Sequence, residues 1–505
     1  MQFDMLAQRS IAATLLASAL VAALAVSSQS YWIDEALSVI VAQAPTPTEA
    51  WKYMQAVSGS TLQMPLYQLY IYGWQKIFGS GEWVMRASNI PWFVLGQAAF
   101  VFFLRDRPRL ALTACLLAAV SPMLWVYLDE TRPYIMQYAS ACWLVSGLAH
   151  YTQGQTRRVP PFHAAQFTAL CAAFLVLFSS SLLGAIWAIG LAAGFVWLKI
   201  WGQIPHRDWR FPVIAVLAGF ATLLFACYYL LTWGDAKRGY HLAGASLLSV
   251  PFVVFEMLGF SGLGPGKNAL RAESFNALIR TLPALAPLAI ALCGLAAAWV
   301  GSMRMRTIDR RAFACWLLAL ALPAAVILFS FFFQGHRPLP RHFIPALPAV
   351  LLALAALMNL ALLRKSFFWR ACAILLPTLW LASSLSLRWQ PIHAKDDYRS
   401  SAAIAAAALR DGKEVWWAAD PAAAHVYRTP IAFEEIPGRA WATQAPAWES
   451  IRGKFPPDMI VLSRPDVYDP TGAVKRYAME QNFIPIQNLT GIVVFARQGS
   501  VPGHR

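Results

Sequence analysis

Long apolar runs alternate with short polar linkers over the first 388 residues of the chain. A helix needs about 20 mostly apolar residues to cross a bilayer, so each such run marks a candidate span. The pattern predicts about eleven transmembrane helices, at residues 10–29, 85–104, 110–127, 133–150, 164–180, 182–200, 212–232, 282–301, 312–333, 343–363 and 370–388. The turn between the fifth and sixth segments is so tight that a re-entrant pair remains an alternative there.

The pattern changes after residue 388, where the apolar runs become shorter. Three segments, EVWWAAD (414–420), DMIVLSR (458–464) and GIVVFAR (491–497), have the length and composition of buried strands. Helical stretches at 400–410 and 469–481 separate them. We therefore expect a transmembrane domain in residues 1–388 and a small α/β domain in residues 389–505. The second domain shows no catalytic constellation.

Composition agrees with a polytopic membrane protein. Of the 505 residues, 58% are hydrophobic and only 13% are charged, and the mean hydropathy is +0.50, which excludes a water-soluble protein of this size. The net charge of +16 comes from short basic clusters between apolar runs, a pattern that favours topology signals and an anionic lipid ligand over nucleic acid. All seven cysteines lie within apolar runs without CxxC spacing, as packing residues do.

The linkers alternate in charge, which predicts the orientation. By the positive-inside rule the basic linkers are cytoplasmic; they contain Arg105, Arg107, Arg109, Arg157, Arg158, Lys199, Arg207, Arg210, Arg304, Arg306, Arg310, Arg311, Arg364, Lys365 and Arg370. The loops 30–84, 128–132, 233–281 and 334–342 and the C-terminal domain then lie outside. The first apolar run is either a cleaved signal peptide or a retained anchor with a cytoplasmic N-terminus, of which we favour the anchor. Both place Asp34 outside.

The first outer loop, residues 30–84, contains two segments with helical spacing, at 48–57 and 65–78. Their aromatic residues suggest interfacial helices, with side chains at the level of the lipid headgroups: Trp51, Tyr67, Tyr70 and Trp74. For any single aromatic residue here, a place in an aromatic belt without a ligand role is the simpler interpretation.

Charged residues that are candidates for chemistry fall in three of the outer loops. Carboxylates at the membrane surface are costly unless they have a function. The plain alternatives are a helix stop for the first acidic pair and a local ion pair in the second loop. Basic residues at a helix N-terminus form a site for a phosphate. The candidates are Asp34 and Glu35 in WIDEALS, Asp129, Glu130 and Arg132 in YLDETRPY, and Arg341 and His342 in RHFIPALP.

In this order the segments WIDEALS, MPLYQLYIYGWQKIFGSGEWVMR, YLDETRPYIMQ and RHFIPALPAVLLALAAL resemble the membrane glycosyltransferases of the GT-C fold. The resemblance is closest to the bacterial group related to protein O-mannosyltransferases and lipid A aminoarabinose transferases. It implies that Asp34 is the catalytic base or orients the acceptor, that Glu130, Arg132 and Tyr134 form the E-x-R-P-Y element with Asp129 beside it, and that Arg341 contacts a lipid-linked phosphate. The family often has histidine where this chain has Gln63, which puts a metal or acceptor role for that position in doubt.

The residues fit transfer of a sugar from a polyprenyl phosphate to a glycan, lipid or protein acceptor at the outer face of a bacterial inner membrane. Asp34 acts as general base in a single, inverting displacement, and arginines stabilise the departing phosphate. We expect Arg132 and Arg341 in that role, with Lys267 or Arg271 in support. A divalent cation, Mg²⁺ or Mn²⁺, held by Asp34 and Glu130 is compatible with the residues but not required.

Two other classes of protein remain alternatives. A membrane glycopolymer ligase or polymerase also uses a lipid-linked donor at the outer face, and differs mainly in transferring a long chain. A transporter is less favoured, because the spans of this chain are nearly free of the ionisable residues that transport needs near the bilayer midplane.

Overall fold

A computed structural model describes residues 2–57, 59–152, 164–200, 210–236, 247–266, 269–270, 273, 275–303, 309–432, 441–443 and 445–498. All eleven apolar segments predicted from the sequence are helical in it. Within the described residues, six helical stretches are long and apolar enough to cross a membrane: Leu182–Ile200, Pro212–Gly234, Asn276–Val300, Arg310–Phe333, Pro340–Leu362 and Phe367–Trp389. The chain is a polytopic α-helical membrane protein.

The other apolar helices are shorter, bent or less apolar. They are Gln2–Ala25, Asn89–Phe103, Pro108–Ala119, Pro122–Leu128, Tyr134–Thr152 and Ala164–Ser180. Pro108–Ala119 and Pro122–Leu128 meet at an angle of 57° and make a seventh span if counted as one. The break lies at Ser121, whose hydroxyl accepts a hydrogen bond from the amide of Leu124 at 3.4 Å, and at Pro122, which has no amide hydrogen to continue the preceding helix.

The tight turn between Ala164–Ser180 and Leu182–Ile200 is built around Ser181. Its hydroxyl accepts a hydrogen bond from the amide of Gly184 at 2.9 Å and another from the side chain of Gln137 at 2.7 Å. The pair packs against the Tyr134–Thr152 helix, which is buried along almost its whole length. A helix that is apolar on all sides is expected at the centre of a bundle.

Five short helices connect the first two predicted spans: Ile33–Gln43, Pro47–Val57, Gly59–Leu62, Pro65–Phe78 and Glu82–Ala87. We call Ile33–Gln43 the acidic helix. The two helices predicted in this loop are therefore confirmed, and their place at the membrane interface stays a prediction. Tyr67 is buried with Met64 and Ile71 against the acidic helix, and its depth at headgroup level stays a prediction. Trp51 is exposed.

Two basic linkers lie at the end of the bundle away from the acidic helix. Asn89, at one end of Asn89–Phe103, donates a hydrogen bond to the main-chain carbonyl of Glu130 at 2.7 Å. The other end of that helix contacts His150, whose ring lies 3.0 Å from the carbonyl oxygen of Phe103. The chain then continues directly into the exposed linker containing Arg105 and Arg107. At the same end, Arg364 donates to the carbonyl of Ala298 at 3.1 Å.

The C-terminal domain contains a five-stranded sheet in the order β2-β1-β3-β5-β4. The strands are β1 Val415–Ala418, β2 Trp441–Ala442, β3 Met459–Ser463, β4 Phe483–Leu489 and β5 Ile492–Arg497. β1 is parallel to β2 and β3, whereas β5 is antiparallel to β3 and β4. The three predicted strands are present. β2 has only two residues, and β4 is a largely exposed edge strand containing Pro485, so neither has the pattern of a buried strand.

Short helices flank this sheet: Tyr398–Arg410, Ala422–His425, Trp448–Ile451, Pro465–Tyr468 and Ala473–Glu480. Asp397 caps the first of them by accepting a hydrogen bond from the amide of Ser400 at 3.0 Å. The domain packs directly on the acidic helix, because Ile33 is buried in the same apolar cluster as Tyr398 and Trp417. The α/β domain therefore covers the region that carries the first candidate carboxylates.

Candidate active site

The first turn of the acidic helix presents its two carboxylates to different surroundings. Successive helical residues are about 100° apart around the axis, so Asp34 and Glu35 cannot face the same way. The side chain of Asp34 is 22% exposed, whereas that of Glu35 is fully buried. Both lie near the positive end of the helix dipole, which favours negative charge. The amide of Trp32 also donates a hydrogen bond to Glu35 at 3.3 Å.

Glu35 is the centre of a buried ion cluster formed by Glu35, Arg86, Asp129 and Lys395. Arg86 donates two hydrogen bonds to its carboxylate, from Nε and Nη2, each 2.8 Å long. Lys395 Nζ lies 3.0 Å from Oε2, and the amide of Thr131 donates to Oε1 at 2.9 Å. Burial raises the pKa of Glu35, but the charges of Arg86 and Lys395 outweigh it and lower the pKa to about 2. Glu35 is thus ionised and fully engaged.

Asp129 belongs to the same cluster. Its carboxylate accepts hydrogen bonds from the amide of Ser27 at 2.5 Å and from the hydroxyl of Ser27 at 2.9 Å. It also lies 3.8 Å from Arg86 and 3.4 Å from Lys395. Lys395 further donates a hydrogen bond to the main-chain carbonyl of Asp129. Through Asp129, the second acidic loop is joined both to the residues before the acidic helix and to the C-terminal domain. Asp129 therefore has a structural role.

Asp34 faces two arginines that come from distant parts of the sequence. Its Oδ2 lies 2.5 Å from Nη1 of Arg341. Arg132 is buried, and its guanidinium donates to the main-chain carbonyl of Asp34 at 3.2 Å and to the hydroxyls of Ser38 and Ser60, each at 3.0 Å. Burial raises the pKa of Asp34, but the charges of Arg341 and Arg132 lower it more, so its pKa is below the usual value. Asp34 is ionised at neutral pH.

Glu130 and Tyr134 lie close to this pair. Glu130 is buried, within electrostatic range of Arg341, and it borders a cavity of about 80 Å³ that is also lined by Asp129, Lys395 and Arg388. Tyr134 is buried beside Arg132 and Arg341. The structure therefore brings together Asp34, Glu130, Arg132, Tyr134 and Arg341, which the sequence had placed in three separate loops.

Two of the candidates from the sequence, His342 and Gln63, make contacts that stabilise neighbouring turns and helices. The ring of His342 accepts a hydrogen bond from the amide of Leu339 at 3.1 Å and packs on Phe331, with ring centroids 4.5 Å apart. This contact holds the 3₁₀ turn Pro340–Ala346, which begins where the sequence predicted. The phosphate role predicted for His342 stays a prediction. Gln63 joins its loop to the next helices through its main-chain carbonyl, which accepts from the amide of Leu182 at 3.0 Å.

Lys267 and Arg271 lie outside the described residues. Among the residues that are described, no group of three or more His, Cys, Asp or Glu side chains has the arrangement of a metal site. Asp34 instead contacts Arg341, so a cation between Asp34 and Glu130 would have to displace that guanidinium. A divalent ion at this position stays a prediction.

Four charged residues near the acidic helix were not found from the sequence. Arg86 and Lys395 complete the buried ion cluster. Asp420 and Arg464 belong to the C-terminal domain, and both act electrostatically on Asp34. Arg86 lies in GEWVMR, and its conspicuous feature is a lone arginine at the start of an apolar run. Lys395, Asp420 and Arg464 have no recognisable local sequence pattern, because only the fold of the chain brings them near the acidic helix.

The arrangement of helices, with a loop of short helices after the first span and an α/β domain packed over it, is that of the GT-C fold of membrane glycosyltransferases. No protein-family model matches the sequence, and no curated protein matches it significantly. The likeness is therefore one of three-dimensional structure.

Two solved structures of one protein are similar over nearly the whole chain. ArnT from Cupriavidus metallidurans in the apo state matches with a TM-score of 0.56 and 15% identity, covering 99% of this chain and 100% of that one. ArnT from the same organism bound to undecaprenyl phosphate matches with a TM-score of 0.52 and 16% identity, covering 98% and 99%. At these identities the comparison establishes the fold.

Proposed function

We propose that this protein is a glycosyltransferase that moves a sugar from a polyprenyl-phosphate donor to an acceptor hydroxyl with inversion at the anomeric carbon. The observation that carries the proposal is the pairing of Asp34 with Arg341 at 2.5 Å, with Arg132 buried beside them. A carboxylate and two guanidinium groups, the groups that such a reaction needs, thus meet in one place. The likeness to ArnT, an aminoarabinose transferase solved with undecaprenyl phosphate, supports a lipid-linked donor.

The two arginines fit the leaving group. When the bond between the anomeric carbon and the phosphate oxygen breaks, the electron pair stays on the polyprenyl phosphate, whose negative charge grows. A guanidinium stabilises that charge with two parallel hydrogen bonds. Arg341 pairs with Asp34, so a bound phosphate competes with Asp34 for its guanidinium. Transfer of Arg341 from Asp34 to the phosphate leaves the Asp34 carboxylate available to the acceptor.

Asp34 fits the role of general base. It is ionised at neutral pH and partly exposed, whereas Glu35 is buried and saturated with cationic partners. As the acceptor oxygen forms its bond to the anomeric carbon, its proton passes to the carboxylate of Asp34. Glu130 acts electrostatically on Arg341, and we assign it the role of keeping that guanidinium oriented. The products are the glycosylated acceptor and the free polyprenyl phosphate.

Exchange of Asp34 for asparagine tests this assignment. In nanodiscs supplied with labelled polyprenyl-phosphate sugars, Asp34→Asn should lower kcat by about 100-fold to 10,000-fold, because asparagine cannot take the proton. Binding of undecaprenyl phosphate should be equal or tighter, because Arg341 loses its competing partner. Glu49→Gln, which changes an exposed carboxylate of the same loop, is the matched control. Near wild-type turnover by Asp34→Asn together with an inactive Glu130→Gln would move the base to Glu130.

A further inference from the structure

The carboxyl ends of two parallel strands of the C-terminal domain lie next to the acidic helix. β1 is followed by Asp420 and β3 by Arg464, and the two strands are hydrogen-bonded neighbours. Ile33, the residue before Asp34, is buried in the core of this domain with Trp417 of β1. Open α/β sheets bind ligands outside the carboxyl ends of their parallel strands. The edge of the sheet where ligands usually bind therefore lies on the side of the domain next to Asp34.

Arg464 has an unusual conformation at this edge. Its backbone is left-handed, with φ 37° and ψ 75°, a region that non-glycine residues avoid and that occurs most often at functional sites. Its side chain is only 15% exposed, and its ion pair with Asp466 is long, at 3.8 Å. Its Nε has no hydrogen-bond partner in the described part of the chain. A mostly buried guanidinium whose Nε–H is unused can donate it to an anionic oxygen.

Electrostatics relate both residues to Asp34. Burial raises the pKa of Asp34, and Arg464 is the third arginine, after Arg341 and Arg132, whose charge lowers it. Burial raises the pKa of Asp420, and the negative charge of Asp34 raises it further, although the amide of Ala422 donates a hydrogen bond to its carboxylate. The two strand ends are thus within electrostatic range of the proposed base.

We propose that Asp420 and Arg464 form the acceptor subsite, in which Arg464 binds an anionic oxygen of the acceptor and Asp420 accepts a hydrogen bond from an acceptor hydroxyl. This inference rests on the proposed function. In a single displacement the attacking hydroxyl and the leaving phosphate are on opposite sides of the anomeric carbon. Arg341 and Arg132, both from the membrane domain, serve the phosphate, which leaves the charges of the C-terminal domain for the acceptor. The acceptor class is a hydroxyl-bearing molecule with a phosphate or carboxylate group.

Arg464 could instead bind the phosphate of the donor, and steady-state kinetics distinguish an acceptor ligand from a donor ligand. The full-length protein in nanodiscs is given a labelled polyprenyl-phosphate sugar, and membranes from cells lacking this chain supply the acceptor. The donor is varied with acceptor membranes in excess, and the acceptor membranes are varied with donor in excess. Arg464→Met should raise the half-saturating amount of acceptor membranes at least tenfold and change the KM for donor less than threefold. Arg464→Lys should lie between wild type and Arg464→Met, and Arg452→Met, an exposed arginine of the same domain, should match wild type.

A glycine at position 464 distinguishes binding from a structural role. Glycine adopts the left-handed conformation without strain, so Arg464→Gly should melt at or above the temperature of wild type and still lose acceptor use. A large drop in melting temperature without a change in acceptor kinetics would make Arg464 a structural residue. A rise in the KM for donor, or weaker binding of undecaprenyl phosphate, would assign Arg464 to the donor. Failure of the wild type to transfer any sugar would overturn the proposed function itself.

Discussion

Asp34 and Glu35 are adjacent in the chain and have different tasks because a helix turns them toward different charges. Glu35 accepts hydrogen bonds from Arg86, Lys395 and the amide of Thr131. Among the described residues, Asp34 has one side-chain ion pair, with Arg341 at 2.5 Å, and its side chain remains partly exposed. A carboxylate whose partner can be drawn away by a ligand is suited to chemistry, and one enclosed by several donors is suited to holding the fold.

Arg341 tests the donor side of the site. Arg341→Ala should raise the KM for the polyprenyl-phosphate donor more than Arg341→Lys does, because lysine keeps the charge but loses the bidentate fork. The measurement is initial rate against donor concentration in nanodiscs. Arg337→Ala, which changes an exposed arginine of the same loop, is the control. Identical donor kinetics for wild type and both Arg341 variants would exclude Arg341 from the site.

Glu35 tests the buried ion cluster. Glu35→Gln removes the nearer of the two carboxylates of the ion cluster and leaves buried Arg86, together with Lys395, only the longer pairings with Asp129; loss of a buried ion-pair partner costs on the order of 3 kcal/mol. It should therefore lower the melting temperature clearly at pH 7. Judged from the local sequence alone, Glu35→Gln should have a mild effect, because Glu35 faces away from Asp34 on the helix. Its burial makes the change costly for folding, while the chemistry should suffer less than in Asp34→Asn.

The pH dependence of that loss follows from the lowered pKa. A carboxyl whose pKa falls from 4.5 to about 2 on folding contributes its full stabilisation above the unfolded value and loses it as the pH falls toward 2. The melting-temperature difference between wild type and Glu35→Gln should be constant from pH 7 to pH 5 and become smaller below pH 4. A difference that grew on acidification would contradict the cluster. Glu49→Gln should show no such trend.

At the scale of elements, the loop that contains Gly259 and Gly262 packs on the last membrane helix, Phe367–Trp389. The amide of Gly262 donates to the hydroxyl of Ser383 at 3.0 Å, and that hydroxyl donates to the carbonyl of Gly259 at 2.9 Å. Trp380 donates to the carbonyl of Leu258 at 2.8 Å. A Cβ at Gly262 would overlap the main-chain carbonyl oxygen of Ser383. The absence of a side chain at Gly262 thus allows close packing of the loop on the helix Phe367–Trp389.

Gly262→Ala tests that close approach. The added methyl group must push the loop away from the helix, an overpacking that costs about 1–3 kcal/mol, and the melting temperature should fall. Gly73→Ala is the matched control, because a Cβ there meets nothing within 4 Å and alanine favours a helix by about 1 kcal/mol. Equal melting temperatures for the two variants would show that the loop is not tightly packed at Gly262.

At the scale of the whole molecule, the C-terminal domain and the membrane helices share one site. Lys395 belongs to the buried ion cluster, and Tyr427 donates a hydrogen bond to Glu82 at 3.2 Å and accepts one from the amide of Tyr31 at 2.8 Å. Arg399 pairs with Glu82 at 3.1 Å. These polar contacts hold the domain over the acidic helix, so the domain and Asp34 must lie on the same side of the membrane.

The orientation predicts which side that is. With the exposed native cysteines Cys227 and Cys293 replaced, Arg452→Cys should react with a membrane-impermeant maleimide from outside the cytoplasmic membrane. Arg107→Cys should react only after the membrane is opened, because the positive-inside rule places its linker in the cytoplasm. Labelling of position 107 from outside and protection of position 452 would reverse the topology and place the proposed site in the cytoplasm.

The sequence by itself determined the membrane class, the eleven helical segments and three of the five strands found among the described residues. It also singled out Asp34, Glu130, Arg132 and Arg341 as candidates for the site. Apolar length and β-branched runs are local properties, and costly charges at the membrane surface stand out without knowledge of the fold. The short β2 and the edge strand β4 lacked such a pattern.

Only the tertiary structure decided which charge meets which. Glu35 is distinguished from Asp34 by Arg86 and Lys395, which are 51 and 360 residues away in sequence. Asp420 and Arg464 come within electrostatic range of Asp34 because parallel strands end at the same edge of a sheet that packs on the acidic helix. Such pairings depend on long-range packing, and no local pattern in the chain encodes them.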